Sequence, residues 1–119
     1  MTCDDVLVCD ACRRPITEIE LAMIQWDADP EGCVTSLLLA HKGRCCDTGR
    51  PPPLSMELFW FASPGVALRR LTELAHDYHW TPAQLRRLTF IAWAVATTAS
   101  PKCRARAQKW HEQRMEMGL

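Results

Sequence analysis

Apolar and polar side chains alternate along the first third of the chain, most clearly over residues 18–23. An alternation with a period of two is typical of a half-buried strand, here residues 16–27. The next stretch, residues 27–32, is dense in residues that favour turns. Residues 33–40 are largely apolar again and lead to His41. The pattern therefore predicts a β-hairpin.

The second half of the chain repeats one helix-start signal three times. In each case a hydroxyl side chain that can cap a helix precedes a proline at the first helical position. The three pairs are Ser63-Pro64, Thr81-Pro82 and Ser100-Pro101. Gln84 adds a capping box to the second pair. The signals predict a bundle of three helices, over residues 64–78, 82–98 and 101–117, the last ended by Gly118.

The spacing of apolar residues also predicts which helix faces are buried. In helix 64–78 the predicted buried face holds Leu68, Leu71, Leu74, Ala75 and Tyr78, and in helix 101–117 it holds Cys103, Ala107, Trp110 and Met117. Residues 90–96 of helix 82–98 are apolar on every side, which implies burial all round. We expect either the first half of the chain or a second subunit to cover that helix.

A proline run at residues 51–53 favours a semi-rigid spacer between the hairpin and the helices. We therefore expect an α+β protein with three parts. These are a hairpin module at residues 1–49, a proline-rich linker and aromatic segment at residues 50–62, and a basic three-helix bundle at residues 63–119. The aromatic stretch 56–61 is expected to be a short strand or a turn of helix laid over the bundle.

Composition places the chain among globular proteins, with 48% hydrophobic and 24% charged residues. Its net charge of zero hides a split. Residues 1–47 carry nine acids against four bases, or −5, and residues 48–119 carry ten bases against five acids, or +5. The start of the chain lacks the basic and apolar regions of a signal peptide, and no apolar stretch approaches the roughly 20 residues of a membrane helix. We expect a soluble, cytoplasmic protein.

Seven cysteines raise two alternatives, disulfide bonds or metal ligation. The odd number and a reducing cytosol argue against disulfides. The pairs Cys9-x-x-Cys12 and His41-x-x-x-Cys45 meet at one end of the predicted hairpin. Three thiolates and one imidazole suit a closed, tetrahedral Zn²⁺ site, which is structural because no position is left for water. Cys46 is an alternative to Cys45 as the fourth ligand.

The other cysteines, Cys3, Cys33 and Cys103, are expected to be small buried hydrophobes. A redox role for the Cys9-x-x-Cys12 pair would need a βαβ context, which this sequence lacks. The sequence therefore predicts a zinc-stabilised β-hairpin of treble-clef or zinc-ribbon type, followed by the helical bundle.

Two runs and the hairpin between them carry a resemblance to known proteins. The runs are Cys9-Asp-Ala-Cys-Arg-Arg-Pro-Ile-Thr and His41-Lys-Gly-Arg-Cys45, and the hairpin contains Trp26. Together they resemble small treble-clef-like zinc-finger proteins of actinobacteria and their phages, over about residues 8–47. The resemblance implies a treble-clef-like zinc site and carries no implication about activity. The helical half shows no such resemblance.

Basic residues concentrate on the predicted helices, and helix 101–117 places Trp110 among them. A basic helix with an aromatic side chain can lie against nucleic-acid phosphates. The candidate contacts are Arg69, Arg70, Arg86, Arg87, Lys102, Arg104, Arg106, Lys109 and Arg114. The alternative is a solvated basic face that packs against the acidic first half.

These observations favour a non-enzymatic, zinc-binding regulatory protein. The sequence has no catalytic triad, paired carboxylates or Gly-rich phosphate loop, and His76 and His79 suit a helix C-terminus. The leading hypothesis is nucleic-acid binding in the control of transcription, with DNA as the expected partner. The alternative is a protein-interaction adapter or a phage-type inhibitor of a host protein. A homodimer through helix 82–98 is also open.

Overall fold

The computed structural model describes residues 7–46 and 53–116 and has an α+β fold. Its sheet is antiparallel, has the strand order β2-β1-β3 and consists of β1 (Ala22–Ala28), β2 (Val34–His41) and β3 (Leu54–Glu57). The predictions that fall on Cys3, on residues 47–52, which include the first two prolines of the proline run, and on Met117 and Gly118 lie outside the described residues.

The first strand starts later than the alternation predicts. Residues 19–21 form a 3-10 helix, and the Leu21 N–H donates to the Glu18 carbonyl at 3.0 Å. The Leu21 side chain is exposed, and strand pairing begins only at Ala22, opposite His41. The prediction of a strand from residue 16 is therefore wrong, because the alternating segment turns once before it enters the sheet.

The aromatic segment connects the sheet to the helices. β3 pairs with β1 on the side opposite β2, from Met23 opposite Glu57 to Trp26 opposite Leu54. A 3-10 helix, Leu58–Phe61, follows at once, so the segment contains both a strand and a turn of helix. The buried side chains of the sheet, this segment and the helices form one continuous cluster. A single core therefore includes the aromatic segment, through Leu58, Phe59 and Phe61.

The three predicted helices are present as α1 (Pro64–Asp77), α2 (Pro82–Thr98) and α3 (Pro101–Glu116). The capping box of α2 is confirmed, because the Gln84 N–H donates to Thr81 Oγ1 and the Gln84 side chain accepts from the Thr81 N–H. Ser100 caps α3 through its Oγ. Ser63 instead donates its hydroxyl to Gln108 Oε1 at 3.0 Å, which ties the start of α1 to α3.

The buried face of α1 is not the predicted one. Leu68 is 68% exposed and Ala75 is exposed, whereas the residues that face the core are Val66, Ala67, Arg70 and Leu74. The real face is rotated by roughly a quarter of a turn from the prediction. The reason is the aromatic 3-10 helix against which α1 packs: the Arg70 guanidinium lies 4.5 Å from the Trp60 ring centroid.

Within the single chain, the predicted burial of α2 and α3 is incomplete at aromatic positions. On α2, Ile91, Ala92, Ala94 and Val95 are buried as predicted, but Phe90 and Trp93 are 46% and 59% exposed. On α3, Cys103 and Ala107 are buried, but Trp110 is 53% exposed. The 3-10 helix Leu58–Phe61 and the neighbouring helices pack against one side of these helices, and the described residues leave the aromatic side chains on the other side exposed.

The turn of the β1–β2 hairpin is bound to the connection between α1 and α2. The His79 N–H donates to the Gly32 carbonyl, and the Val34 N–H donates to the His79 carbonyl, both at 2.8 Å. Cys33, which pairs with His79 in a short β-bridge, is exposed at this rim and is therefore not the buried hydrophobe that we predict. Beneath the hairpin, the Trp26 ring packs edge-on against Tyr78.

Candidate metal centre

The first ligand pair lies on a tight knuckle, residues 9–15. The Cys9 N–H donates to the Arg14 carbonyl and the Arg13 N–H to the Cys9 carbonyl, both at 3.0 Å. Arg13 adopts a left-handed backbone conformation with φ of 63°, which reverses the chain within a few residues. A β-bridge between Val8 and Pro15 closes the knuckle, so Cys9 and Cys12 face the same side.

The second ligand pair lies at the end of β2. The strand ends at His41, and residues 42–45 form a turn in which Gly43 has φ of 78°. Glycine adopts this conformation without the strain that a Cβ atom causes. The turn begins where the Lys42 N–H donates to the Leu21 carbonyl at 2.9 Å, and it carries Cys45 back towards His41.

The knuckle and the turn bring all four predicted ligands together. The sulfur atoms of Cys9, Cys12 and Cys45 and a ring nitrogen of His41 all lie within 4.8 Å of one another. Cys12 Sγ and His41 Nδ1 are 3.5 Å apart. Cys9 is fully buried, and the other three residues are partly buried. The cluster could hold a metal ion, and within residues 7–46 and 53–116 the group of candidate ligands contains Cys45 rather than Cys46.

The protein environment shifts the pKa values of Cys9 and Cys45 in opposite directions. Burial alone would raise the pKa of Cys9, but hydrogen bonds from the backbone of Cys12, His41 and Ala11 outweigh it and lower the pKa from 9.0 to about 6. Burial raises the pKa of Cys45, and its hydrogen bonds and charge interactions with the other two thiols raise it further. One thiolate is therefore favoured, and a second is opposed unless a cation offsets the negative charge.

Asp10 anchors the knuckle to the rest of the molecule. Its N–H donates to the Leu39 carbonyl and its carboxylate accepts from the Leu39 N–H, both at 2.7 Å. Arg87 of α2 binds the same carboxylate at 2.5 Å and donates to the Leu37 carbonyl at 2.9 Å. The cluster of candidate ligands is thus joined to both β2 and α2. The sequence analysis assigns Asp10 no role, although an acid inside a Cys-x-x-Cys pair is a visible signal.

Most candidate nucleic-acid residues have partners within the protein. Arg70 is buried and binds Glu73, and Arg87 binds Asp10, as described above. The others that make internal contacts are Arg69 with Glu73, Arg104 with the Ala96 and Ala99 carbonyls, Arg106 with Glu20, and Arg114 over the Trp60 ring. These six arginines do not form one free basic surface.

Three of the candidates are exposed and have no ion-pair partner among the described residues. Arg86 lies on α2, whereas Lys102 and Lys109 lie on α3. A further exposed group, which our nucleic-acid prediction does not include, is apolar. We define the α2 face as Leu85, Phe90 and Trp93, which are 39%, 46% and 59% exposed. The sequence signal for it is the apolar run on every side of α2.

The chain matches no protein-family profile, no curated protein and no solved structure. The resemblance of residues 8–47 to small zinc-finger proteins therefore stays a prediction. In the part of the chain that the structure describes, no helix is long and apolar enough to cross a membrane.

Proposed function

We propose that the Cys9, Cys12, His41 and Cys45 cluster binds a structural Zn²⁺ ion. In a tetrahedral zinc site, Zn–S bonds of about 2.3 Å and Zn–N bonds of about 2.05 Å place sulfur and nitrogen ligands about 3.5 Å apart. The distance between Cys12 Sγ and His41 Nδ1 is 3.5 Å. Three sulfur ligands and one nitrogen ligand also match the preference of zinc over harder cations.

The proposed zinc ion has a structural role because its four ligands all come from the protein. Catalytic zinc sites keep one position open for water or substrate. Metal binding by a closed site instead contributes directly to folding, as in small zinc-finger domains. We therefore propose a non-enzymatic protein in which zinc holds the knuckle to the end of β2.

We further propose that the protein is an interaction module whose α2 face binds another protein. The observation that carries this proposal is the exposed pair of aromatic rings on α2. The centroids of the Phe90 and Trp93 rings are 6.0 Å apart, and Leu85 and Thr89 line the same shallow depression. Large adjacent apolar side chains in solvent are typical of protein-binding sites, where aromatic residues supply much of the affinity.

The same structure supports protein binding over the leading sequence hypothesis of DNA binding. A DNA-binding surface needs several cations that are free to replace the counterions of phosphates. Here Arg87, Arg104 and Arg106 are engaged by acceptors of the protein itself. The free energy needed to break these contacts would offset part of the binding free energy gained from each phosphate contact.

Site-specific photo-crosslinking tests the proposed function. A photoreactive phenylalanine analogue replaces Trp93 in the zinc-loaded chain, and the matched control carries it at Leu68, which is at least as exposed but lies on α1. We expect position 93 to crosslink to a protein in lysate of the source organism, with no effect of nuclease treatment. Equal labelling from both positions, or no protein adduct at position 93, would contradict the proposal.

Nucleic-acid binding through α3 is the second candidate function. The observation that favours it is Trp110, which is 53% exposed and follows Lys109, an exposed cation with no ion-pair partner among the described residues. An exposed ring next to a cation can stack on an unpaired base while the cation contacts the phosphate. A salt-dependent complex with single-stranded DNA that is lost in Trp110→Ala, and unaffected by Trp93→Ala, would select this candidate.

A further inference from the structure

The α2 face continues onto the knuckle as one apolar strip. Phe90 lines the shallow depression on α2, and it also lines a neighbouring cavity of about 200 Å³ with Val8 and Leu39. The Val8 side chain is 38% exposed. The apolar strip, as we call it, therefore consists of the α2 face and Val8, and it crosses from a helix to the metal-binding end of the molecule.

Cations border the apolar strip. Arg86 lines the depression on α2, and Arg13 lines the cavity next to it. Both side chains are exposed, and neither has an ion-pair partner within residues 7–46 and 53–116. Asp10, which also lines the cavity, is neutralised by Arg87. The surface is thus apolar along its middle and positive along its edges.

This charge pattern argues against a second copy of the chain as the occupant. A two-fold dimer places the same patch of each subunit against the other. Two copies of the strip would bring Arg13 and Arg86 against the same cations of the partner copy. Like charges brought together at an interface cost affinity, whereas opposite charges guide the partner to the surface.

We infer that the apolar strip binds an acidic, amphipathic segment of a partner protein. Apolar side chains of that segment would cover Phe90 and Trp93, and its carboxylates would pair with Arg13 and Arg86. An amphipathic helix offers this combination, because side chains at i, i+3, i+4 and i+7 share one face and acids can flank them. The inference rests on the proposed function and adds the chemistry of the partner.

Selection from a peptide library tests this inference without a known partner. Random peptides of about 16 residues, long enough for about four helical turns, are selected on the zinc-loaded full chain and counter-selected on the Trp93→Ala variant. We expect the enriched peptides to carry net negative charge and two or more large apolar side chains. Enrichment of neutral or basic peptides, or no enrichment over the Trp93→Ala chain, would overturn the inference.

Charge reversal gives the second arm of the test. Replacing Arg13→Glu and Arg86→Glu together should weaken binding of a selected peptide by about tenfold, from two lost exposed charge pairs. Lys109→Glu, which reverses an exposed charge on α3, is the matched control and should leave the affinity unchanged. Zinc content is measured for every variant, because Arg13 lies next to Cys12. Equal losses in the double variant and the control would overturn the inference.

Two other occupants have their own signatures. A dimer in sedimentation equilibrium that Trp93→Ala abolishes would make a second copy the occupant. Tighter peptide binding by a chain that starts at Leu7 would make the N-terminal segment, which contains Asp4 and Asp5, the occupant. Either result overturns the inference. Crosslinking from position 93 to a protein, together with peptides that show no charge preference, would leave the proposed function standing and remove only the acidic partner.

Discussion

The knuckle and the α2 face are adjacent regions. The Asp10 side chain of the knuckle has partners within the protein, whereas side chains of the α2 face are exposed to solvent. The knuckle has a buried thiol, a carboxylate that binds the Leu39 N–H and Arg87, and two of the four candidate ligands. The α2 face leaves two aromatic rings in solvent. Residues 86 and 87 divide the two regions, since Arg87 binds the knuckle and Arg86 lies on the exposed side. The contrast separates residues that hold the fold from residues that are available to a partner.

The largest expected effect comes from removing a metal ligand. Cys9→Ser, or a strong chelator, should abolish metal binding and unfold the first half of the chain, because structural zinc contributes about 10 kcal/mol in small zinc-finger domains. Elemental analysis and circular dichroism measure the two effects. Cys33→Ser, which changes an exposed cysteine outside the cluster, should keep one zinc ion per chain. A wild-type chain that folds without metal would remove the proposed role of zinc.

A smaller effect is expected from the buried side of α2. Ile91 is 1% exposed, and Ile91→Ala should lower the free energy of unfolding by about 3 kcal/mol, because it removes apolar contacts and leaves a cavity. Urea denaturation of the zinc-loaded chain measures the change. A loss as small as that of an exposed substitution would mean that α2 does not pack on the core as described.

The Asp10–Arg87 contact, which links the two regions, should contribute less to the free energy of unfolding than Ile91 does. Arg87→Ala removes the partner of the Asp10 carboxylate and of the Leu37 carbonyl, and we expect it to cost about 1–2 kcal/mol, since the pair is partly exposed. Arg86→Ala is the adjacent control and should change stability little. Equal effects in denaturation would show that the Asp10–Arg87 contact does not join α2 to the knuckle.

The smallest effect on stability should come from the α2 face itself. Trp93→Ala should change the free energy of unfolding by less than about 0.5 kcal/mol, in line with exposed positions in general. The same substitution should remove protein binding if the α2 face is the interaction site. A loss near that of Ile91→Ala would place Trp93 in the core and break the contrast between the two regions.

The sequence predicted the features that depend on local chemistry. The three helices begin at the predicted prolines, and the capping box depends on residues three apart, so Thr81 and Gln84 could be recognised directly. The four candidate metal ligands were also predicted, because two short motifs at the ends of a hairpin determine which residues approach one another.

The sequence could not predict the features that depend on distant partners. The rotation of α1 depends on Trp60, which binds the Arg70 guanidinium from another segment. The role of Arg87 depends on Asp10, 77 residues earlier in the chain. Periodicity identifies an apolar face, but it does not show whether a sheet, a helix or solvent will cover it. For this reason, the exposure of Phe90, Trp93 and Trp110 could not be predicted from the sequence.

During synthesis of the chain, the contact between Asp10 and Arg87 forms only after the candidate metal ligands are present. All four candidate ligands exist once residue 45 has been added, while Arg87 follows 42 residues later. At a translation rate of about 5–20 residues per second, this interval lasts roughly 2–8 s. Throughout it, the knuckle has no α2 to bind, and its long-range contacts are the hydrogen bonds between Asp10 and Leu39 and the proposed metal ion. If the cluster binds the proposed zinc ion, we expect metal supplied during synthesis to raise the fraction of chains that reach the folded state.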